Sequence, residues 1–230
     1  MKPYFEDEDV AIYHGDCREL LPAMARVDLV LTDPPYGINY DSSHKKHGGG
    51  VDYGNITWDR EPYDPAPILA LKSASIIWGG NCFASRLPDN AAWLTWVKIS
   101  TSVYVNASVC RQSDSELAWT NCIGRSRVFQ HTWIGAARDT ENGTPNYHPT
   151  QKPLALMRWC LGLVPNVQTV IDPYMGSGTT LRAAKDMGIK AIGIEIEERY
   201  CEIAAKRMAQ QSLPFESFPV DAAKKRPSLF

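Results

Sequence analysis

Short apolar runs alternate along this chain with amphipathic stretches, and polar Gly- and Pro-containing turns separate the two. Residues 10–13, 27–31, 75–78, 169–172 and 191–195 are dominated by apolar and β-branched residues over a strand's length, the pattern of buried strands. Helical spacing is predicted over 18–25, 67–72, 179–187 and 198–210, and again after Lys152 through Leu154, Leu156, Met157, Cys160 and Leu161. Alternation of this kind predicts an α/β fold, a doubly wound, mostly parallel Rossmann-like sheet with helices on both faces. Runs at 92–97 and 116–120 arrive with little helix between them, as expected for an antiparallel strand at the sheet edge. One domain over residues 1–212 is expected, with a small insert at about 124–147 and a Pro-containing, loosely held tail at 213–230.

Two strand ends carry unusual chemistry. The run at 27–31 leads into Asp33-Pro34-Pro35-Tyr36. The prolines stiffen this turn, so a carboxylate and an aromatic ring are held at a set separation, suited to gripping a flat, hydrogen-bonding ring. Far downstream, Thr169-Val170-Ile171-Asp172-Pro173-Tyr174-Met175-Gly176-Ser177-Gly178-Thr179-Thr180 reads as a strand, a Gly-containing turn and a helix start. Gly176 and Gly178 permit close backbone approach to a ligand, and Ser177, Thr179 and Thr180 are cap-type residues at a helix N-terminus. The next strand ends in Glu195, about 20 residues after the glycines, the spacing at which a carboxylate takes ribose hydroxyls. Nicotinamide cofactors use the same βαβ geometry, but Leu181 replaces the third glycine of their fingerprint and Asp172 would repel a pyrophosphate. A ribose-bearing cofactor with an ammonium and no phosphates, such as S-adenosylmethionine, fits better.

Taken together, the chain resembles the amino-group DNA methyltransferases of the permuted order, in which the catalytic tetrapeptide precedes the cofactor loop. The resemblance covers roughly residues 10–210 and rests on His14-Gly15-Asp16-Cys17, Asp33-Pro34-Pro35-Tyr36-Gly37, Trp78-Gly79-Gly80-Asn81, His148-Pro149-Thr150-Gln151-Lys152-Pro153, the Asp172 to Thr180 turn and Gly193-Ile194-Glu195. The family more often has Phe where Tyr174 stands. It implies that Asp33, Pro34 and Tyr36 are catalytic: the Asp33 carboxylate and the Pro34 carbonyl accept the two N–H bonds of an exocyclic amine, and a flipped-out base stacks on Tyr36. It further implies that Glu195 takes the cofactor ribose, Asp16 lies near the adenine, and Asp172 takes the methionyl ammonium. Thr150, Lys152, Tyr174 and the loop Gly176, Ser177, Gly178 and Thr179 complete the cofactor set. Asp16 also reads as a helix N-cap, Lys152 as a surface lysine, and His148 as structural. Asp33, where the cytosine branch usually has Ser, implies N6 of adenine as the target; cytosine N4, and a non-catalytic DNA-binding protein of this fold, stay open as alternatives.

Composition modifies this picture little. The formal charge is −2, from 24 basic and 26 acidic residues over 230, so contact with double-stranded DNA must come from a local patch. Two stretches without periodicity are expected to supply it: residues 42–50, with Lys45 and Lys46 beside a Gly run, and the insert, with Arg125, Arg127, His131 and Arg138. So short an insert implies a short target or help from a second copy in a homodimer. Six scattered cysteines form neither a metal-ligand spacing nor a disulfide framework, so no metal and a reduced, cytoplasmic setting are expected. No run approaches the ~20 apolar residues that span a bilayer.

Overall fold

The computed structural model describes residues 1–38, 59–60, 63–99, 113–134, 137–144 and 146–210. The N-terminal half contains β1 (Phe5–Glu6), β2 (Val10–His14), α1 (Cys17–Leu20), β3 (Leu29–Thr32), α2 (Ala66–Leu69), β4 (Ala74–Trp78), β5 (Trp93–Val97) and β6 (Ser115–Thr120). There follow β7 (Arg127–Gln130), β8 (Trp133–Ile134), β9 (Ala137–Arg138), α3 (Leu154–Leu163), β10 (Thr169–Asp172), α4 (Thr179–Asp186), β11 (Lys190–Glu195) and α5 (Glu198–Ala209). Among the described residues, nine strands form one sheet in the order β1-β2-β11-β10-β3-β4-β6-β5-β7, and β8 pairs with β9 as a separate hairpin.

The strands alternate side chains between two buried faces, which is why they read as continuous apolar runs. On one face Leu29, Leu31, Ile76, Trp78 and Val170 pack against Leu156 and Cys160 of α3, Leu181 and Ala184 of α4, and Cys201 and Ala204 of α5. On the other, Val30, Ile77, Ile171 and Ile194 meet Cys17 of α1, Ile68 of α2 and the rings of Tyr63 and Phe83. The central strands β2, β11, β10, β3 and β4 run parallel. Antiparallel pairing occurs at both margins, where β1 joins β2 and β6 enters between β4 and β5.

Local chemistry shortens two expected helices. The segment at 18–25 is one α-turn continued as a 3-10 turn at Leu21–Ala23, since Pro22 has no N–H to extend the α ladder. The segment at 67–72 shrinks to Ala66–Leu69, and Lys72 ends it in the left-handed region at φ 53°. Among its described residues the aperiodic stretch at 124–147 contains three short strands, too brief for periodicity to reveal. The tail expected at 213–230 lies outside the described residues. No helix among the described residues is long and apolar enough to cross a membrane.

Candidate functional site

β10 and β3 are adjacent and parallel, but from them the chain winds outward in opposite directions, to β11 through α4 and to β4 through α2. A crevice therefore opens beyond their carboxyl ends, where ligands bind in doubly wound sheets. Both singled-out acids sit there: Asp172 is the last residue of β10, and Asp33 follows β3 directly. The Thr32 hydroxyl donates to Asp172 Oδ1 at 2.7 Å and the Tyr174 N–H donates to the same oxygen at 3.1 Å. Burial raises the Asp172 pKa to about 6 despite those bonds, and the nearby Asp33 charge adds to the rise.

On the β11 side, Glu195 accepts from the Gly176 N–H at 3.0 Å and from the Glu197 N–H at 2.8 Å, so the carboxylate ties the Gly turn to the end of its own strand. Burial lifts its pKa to about 7 against these two bonds. Asp16 lies across from it, since β11 pairs with β2 and the Gly15 N–H donates to the Glu195 carbonyl at 2.9 Å. Asp16 is also the N-cap of α1, accepting from the Arg18 N–H at 2.9 Å, and its carboxylate is paired with the Arg18 side chain, which lowers its pKa.

The remaining turn residues face inward. Ser177 is buried, donating to Gln151 Oε1 at 3.2 Å, while Arg207 of α5 donates to the Ser177 carbonyl at 2.5 Å. Thr179 is buried at the start of α4, and Gly178 is that helix's N-cap. Thr150 bonds the His148 ring at 3.1 Å, and that ring packs edge-on to Tyr200 at 4.5 Å. Tyr174 packs edge-on to Tyr63 at 5.5 Å. Gln151 entered the sequence reading only as part of the His148–Pro153 motif, with no role given to it, and Arg207 not at all.

Asp33 is the centre of a charged cluster that the sequence did not reveal. Its Oδ1 accepts from the Tyr36 hydroxyl at 2.6 Å, and its Oδ2 accepts from the Lys152 ammonium. Lys152 therefore lies on Asp33, and its Nζ is also 3.2 Å from Glu116 Oε2. Glu116 Oε1 in turn accepts from Lys98 at 2.9 Å. Burial and the Glu116 charge push the Asp33 pKa up, opposed by Lys152. For Glu116 burial acts the same way but Lys152 and Lys98 outweigh it, bringing its pKa down to about 2. Pro34 is buried at the base of the turn.

Gly79 shapes this cluster. It sits at φ 72° directly after β4, and a Cβ there would lie 2.0 Å from the Tyr36 ring. The bare Gly79 backbone is the surface on which the ring rests. This explains the Trp78-Gly79-Gly80 stretch: an ordinary side chain would be strained at that φ and would occupy the space of the ring.

The expected DNA-contacting residues divide. Lys45 and Lys46 lie outside the described residues. Arg125 and Arg127 are exposed, but β6 runs against β4 and so carries the chain away from the rim at Asp33. Arg127 stands level with Leu94, well before Lys98 at the rim, which at roughly 3.3 Å per residue puts it about 13 Å down the sheet. Strand direction thus sets both arginines toward the end of the sheet away from Asp33. His131 is corrected by burial. At 6% exposure it stacks between Phe129 and Trp133, bonds Thr140 Oγ1 at 3.0 Å, and has its pKa lowered by desolvation. Arg138 lies at the rim, over the Trp133 ring at 4.4 Å, where Trp133 donates its N–H to the Lys98 carbonyl at 2.9 Å.

Residues 72–206 match the family model described as DNA methylase. The chain is 28% identical over 262 residues to the Type II methyltransferase M.ScaI of Streptomyces caespitosus, spanning 92% of this chain and 85% of that protein. The solved structure of the PvuII DNA methyltransferase, cytosine-N4-specific, superposes with a TM-score of 0.63 at 18% identity, covering 92% of this chain and 90% of the other. That of the M1.HpyAVI–SAM complex gives 0.51 at 24% identity, covering 87% and 100%. At these identities the two structures speak for the fold.

Proposed function

The chain belongs to the DNA methylase family, and we propose that it methylates N6 of adenine in double-stranded DNA, with S-adenosylmethionine as donor. The observation that carries the reading is the Asp33 carboxylate at the switch-point crevice, beside the Gly turn that Glu195 closes. The donor set suits the cofactor. Glu195 is a half-buried carboxylate with lone pairs left for ribose hydroxyls, and Asp172 is a buried acid with no cation on it within the chain among the described residues, as an incoming ammonium requires. Asp16 flanks Glu195 and fits the adenine end. When bound, S-adenosylmethionine supplies a sulfonium methyl as electrophile.

An exocyclic amine is a poor nucleophile because its lone pair is delocalised into the ring. Asp33 and the Pro34 carbonyl accept its two N–H bonds, which localises that pair and aims the nitrogen. Each carboxylate oxygen has two lone-pair sites, so Asp33 accepts the amine in addition to Tyr36 and Lys152. Positioning and a fixed, partly desolvated acceptor supply the acceleration, and no covalent enzyme intermediate is required. A stacked base cannot reach a carboxylate set in a crevice, so the target is flipped out and stacks at Tyr36, whose ring Gly79 backs. Asp33 favours adenine over cytosine. Nucleoside mass spectrometry on DNA from an expressing, methylation-deficient host tests this: N6-methyladenine is expected, N4-methylcytosine alone would overturn the base assignment, and neither would overturn the activity.

A further inference from the structure

Glu116 and Lys98 come from the sheet margin and touch neither acid's turn in sequence, yet they complete the surroundings of Asp33. From this geometry we infer that Glu116, clamped by Lys98, is a positioning residue for methyl transfer: it anchors the Lys152 ammonium and the Tyr36 hydroxyl where they bind the two oxygens of Asp33. The inference rests on the reading of Asp33 as acceptor of the target amine.

The contacts are specific to each oxygen. Glu116 Oε1 takes the Lys98 ammonium at 2.9 Å, while Oε2 faces Lys152 Nζ at 3.2 Å and the Tyr36 hydroxyl at 3.2 Å. Tyr36 has a single hydroxyl proton, so its 2.6 Å bond to Asp33 takes it and Glu116 holds the weaker, shared contact. Side-chain exposure is 7% for Lys152, 8% for Lys98, 15% for Asp33 and 19% for Glu116, so solvent screens these charges poorly. Two carboxylates and two ammoniums make the cluster neutral. The balance has a chemical purpose, because a protonated Asp33 would offer the amine a donor where an acceptor is needed. With Glu116 present, Lys152 is shared between two acids and stays fixed; with Lys98 present, Glu116 stays ionised to hold it.

The groups facing Asp33 come from every neighbouring element: Tyr36 beyond β3, Glu116 on β6, Lys152 before α3, and Asp172 at the end of β10, with Lys98 beyond β5 behind Glu116. Cys82 is also nearby, its own pKa raised by burial and then by Asp59, Glu116 and Asp33. Lys98 additionally lies 5.8 Å from the Trp96 ring, which fixes its approach to Glu116.

Opposite substitutions test the idea. Methyl transfer from labelled S-adenosylmethionine to DNA from a methylation-deficient host is followed across pH for the full chain, with cofactor affinity measured calorimetrically. Lys98→Met leaves the cluster with net charge −1, so the acid limb of kcat moves up by about one pH unit or more. Glu116→Gln leaves it at +1, so that limb moves down while kcat falls about tenfold, since Lys152 and Tyr36 lose their anchor. Lys98→Arg restores the wild-type limb, and cofactor affinity stays within about twofold throughout, because neither residue touches the cofactor turn. Should Lys98→Met fail to fold, the downward shift in Glu116→Gln carries the test. Limbs that do not move, that move in the same direction, or a cofactor affinity that falls in step with kcat would overturn the inference alone. A wild-type chain that transfers no methyl would overturn the proposed function with it.

Discussion

Replacing Gly79 by Ala should damage stability and methyl transfer together, and the geometry states by how much. The added Cβ would lie 2.0, 2.3 and 2.6 Å from three carbons of the Tyr36 ring, at a backbone φ of 72°. An Ala in the left-handed region costs roughly 1–2 kcal/mol by itself. Carbon contacts are comfortable only at about 3.5–4.0 Å, so the ring must move by well over an ångström and its hydroxyl leaves Asp33 and Glu116. Losing a hydrogen bond to a charged group adds about 1.5–3 kcal/mol, for a total on the order of 2.5–5 kcal/mol. Gly188 supplies the control. Its φ is 69°, and nothing lies within 4 Å of a Cβ built there, so Gly188→Ala incurs only the backbone cost of about 1–2 kcal/mol. Denaturant midpoints of both variants, with methyl-transfer rates at matched folded fraction, separate the two contributions. Equal midpoints for Gly79→Ala and Gly188→Ala, or an undiminished rate in Gly79→Ala, would refute the claim that this backbone seats the catalytic ring.

Asp33→Ala should cut methyl transfer by on the order of 10²–10³-fold or more while cofactor affinity stays nearly intact, as calorimetry would show, because its partner is the base. Glu195→Ala should weaken S-adenosylmethionine by about 1.5–3 kcal/mol, and unchanged affinity would remove it from the site. Because burial raises the Glu195 pKa to about 7 and ribose hydroxyls need the carboxylate, binding below that pH must first release a proton. Cofactor affinity should thus be level above pH 7 and fall by up to about tenfold per unit below it, more steeply beneath pH 6 where Asp172 joins; a flat titration from pH 8 to 5 would contradict this. Arg138→Ala should weaken DNA binding or relax site choice, whereas Arg125→Ala, at the far end of the sheet, should leave both unchanged; gel-shift measurements over a salt series distinguish them.

Asp33-Pro34-Pro35-Tyr36 and the turn from Asp172 to Thr180 were legible in the sequence because their chemistry is local. Each is a strand end followed by residues with narrow backbone preferences, and buried parallel strands announce themselves as unbroken apolar runs. The same locality made the α/β alternation and the pairing of Glu195 with the Gly turn readable, since that acid is the end of the next strand of the same βαβ unit. What the sequence could not disclose depends on which distant strands become neighbours and which way they run. Glu116 reaches Tyr36 across 80 residues because β6 enters the sheet antiparallel and delivers its first residues to the rim at Asp33, and Lys152 reaches Asp33 across 119 from the turn that leads into α3. That same reversal carries Arg125 and Arg127 to the opposite end and leaves His131 in an aromatic stack. An isolated Glu or Lys in a strand has one appearance in the sequence whether it faces water or a buried partner. The free energy that decides between the two, desolvation against pairing, exists only once the tertiary structure has brought the partner within reach.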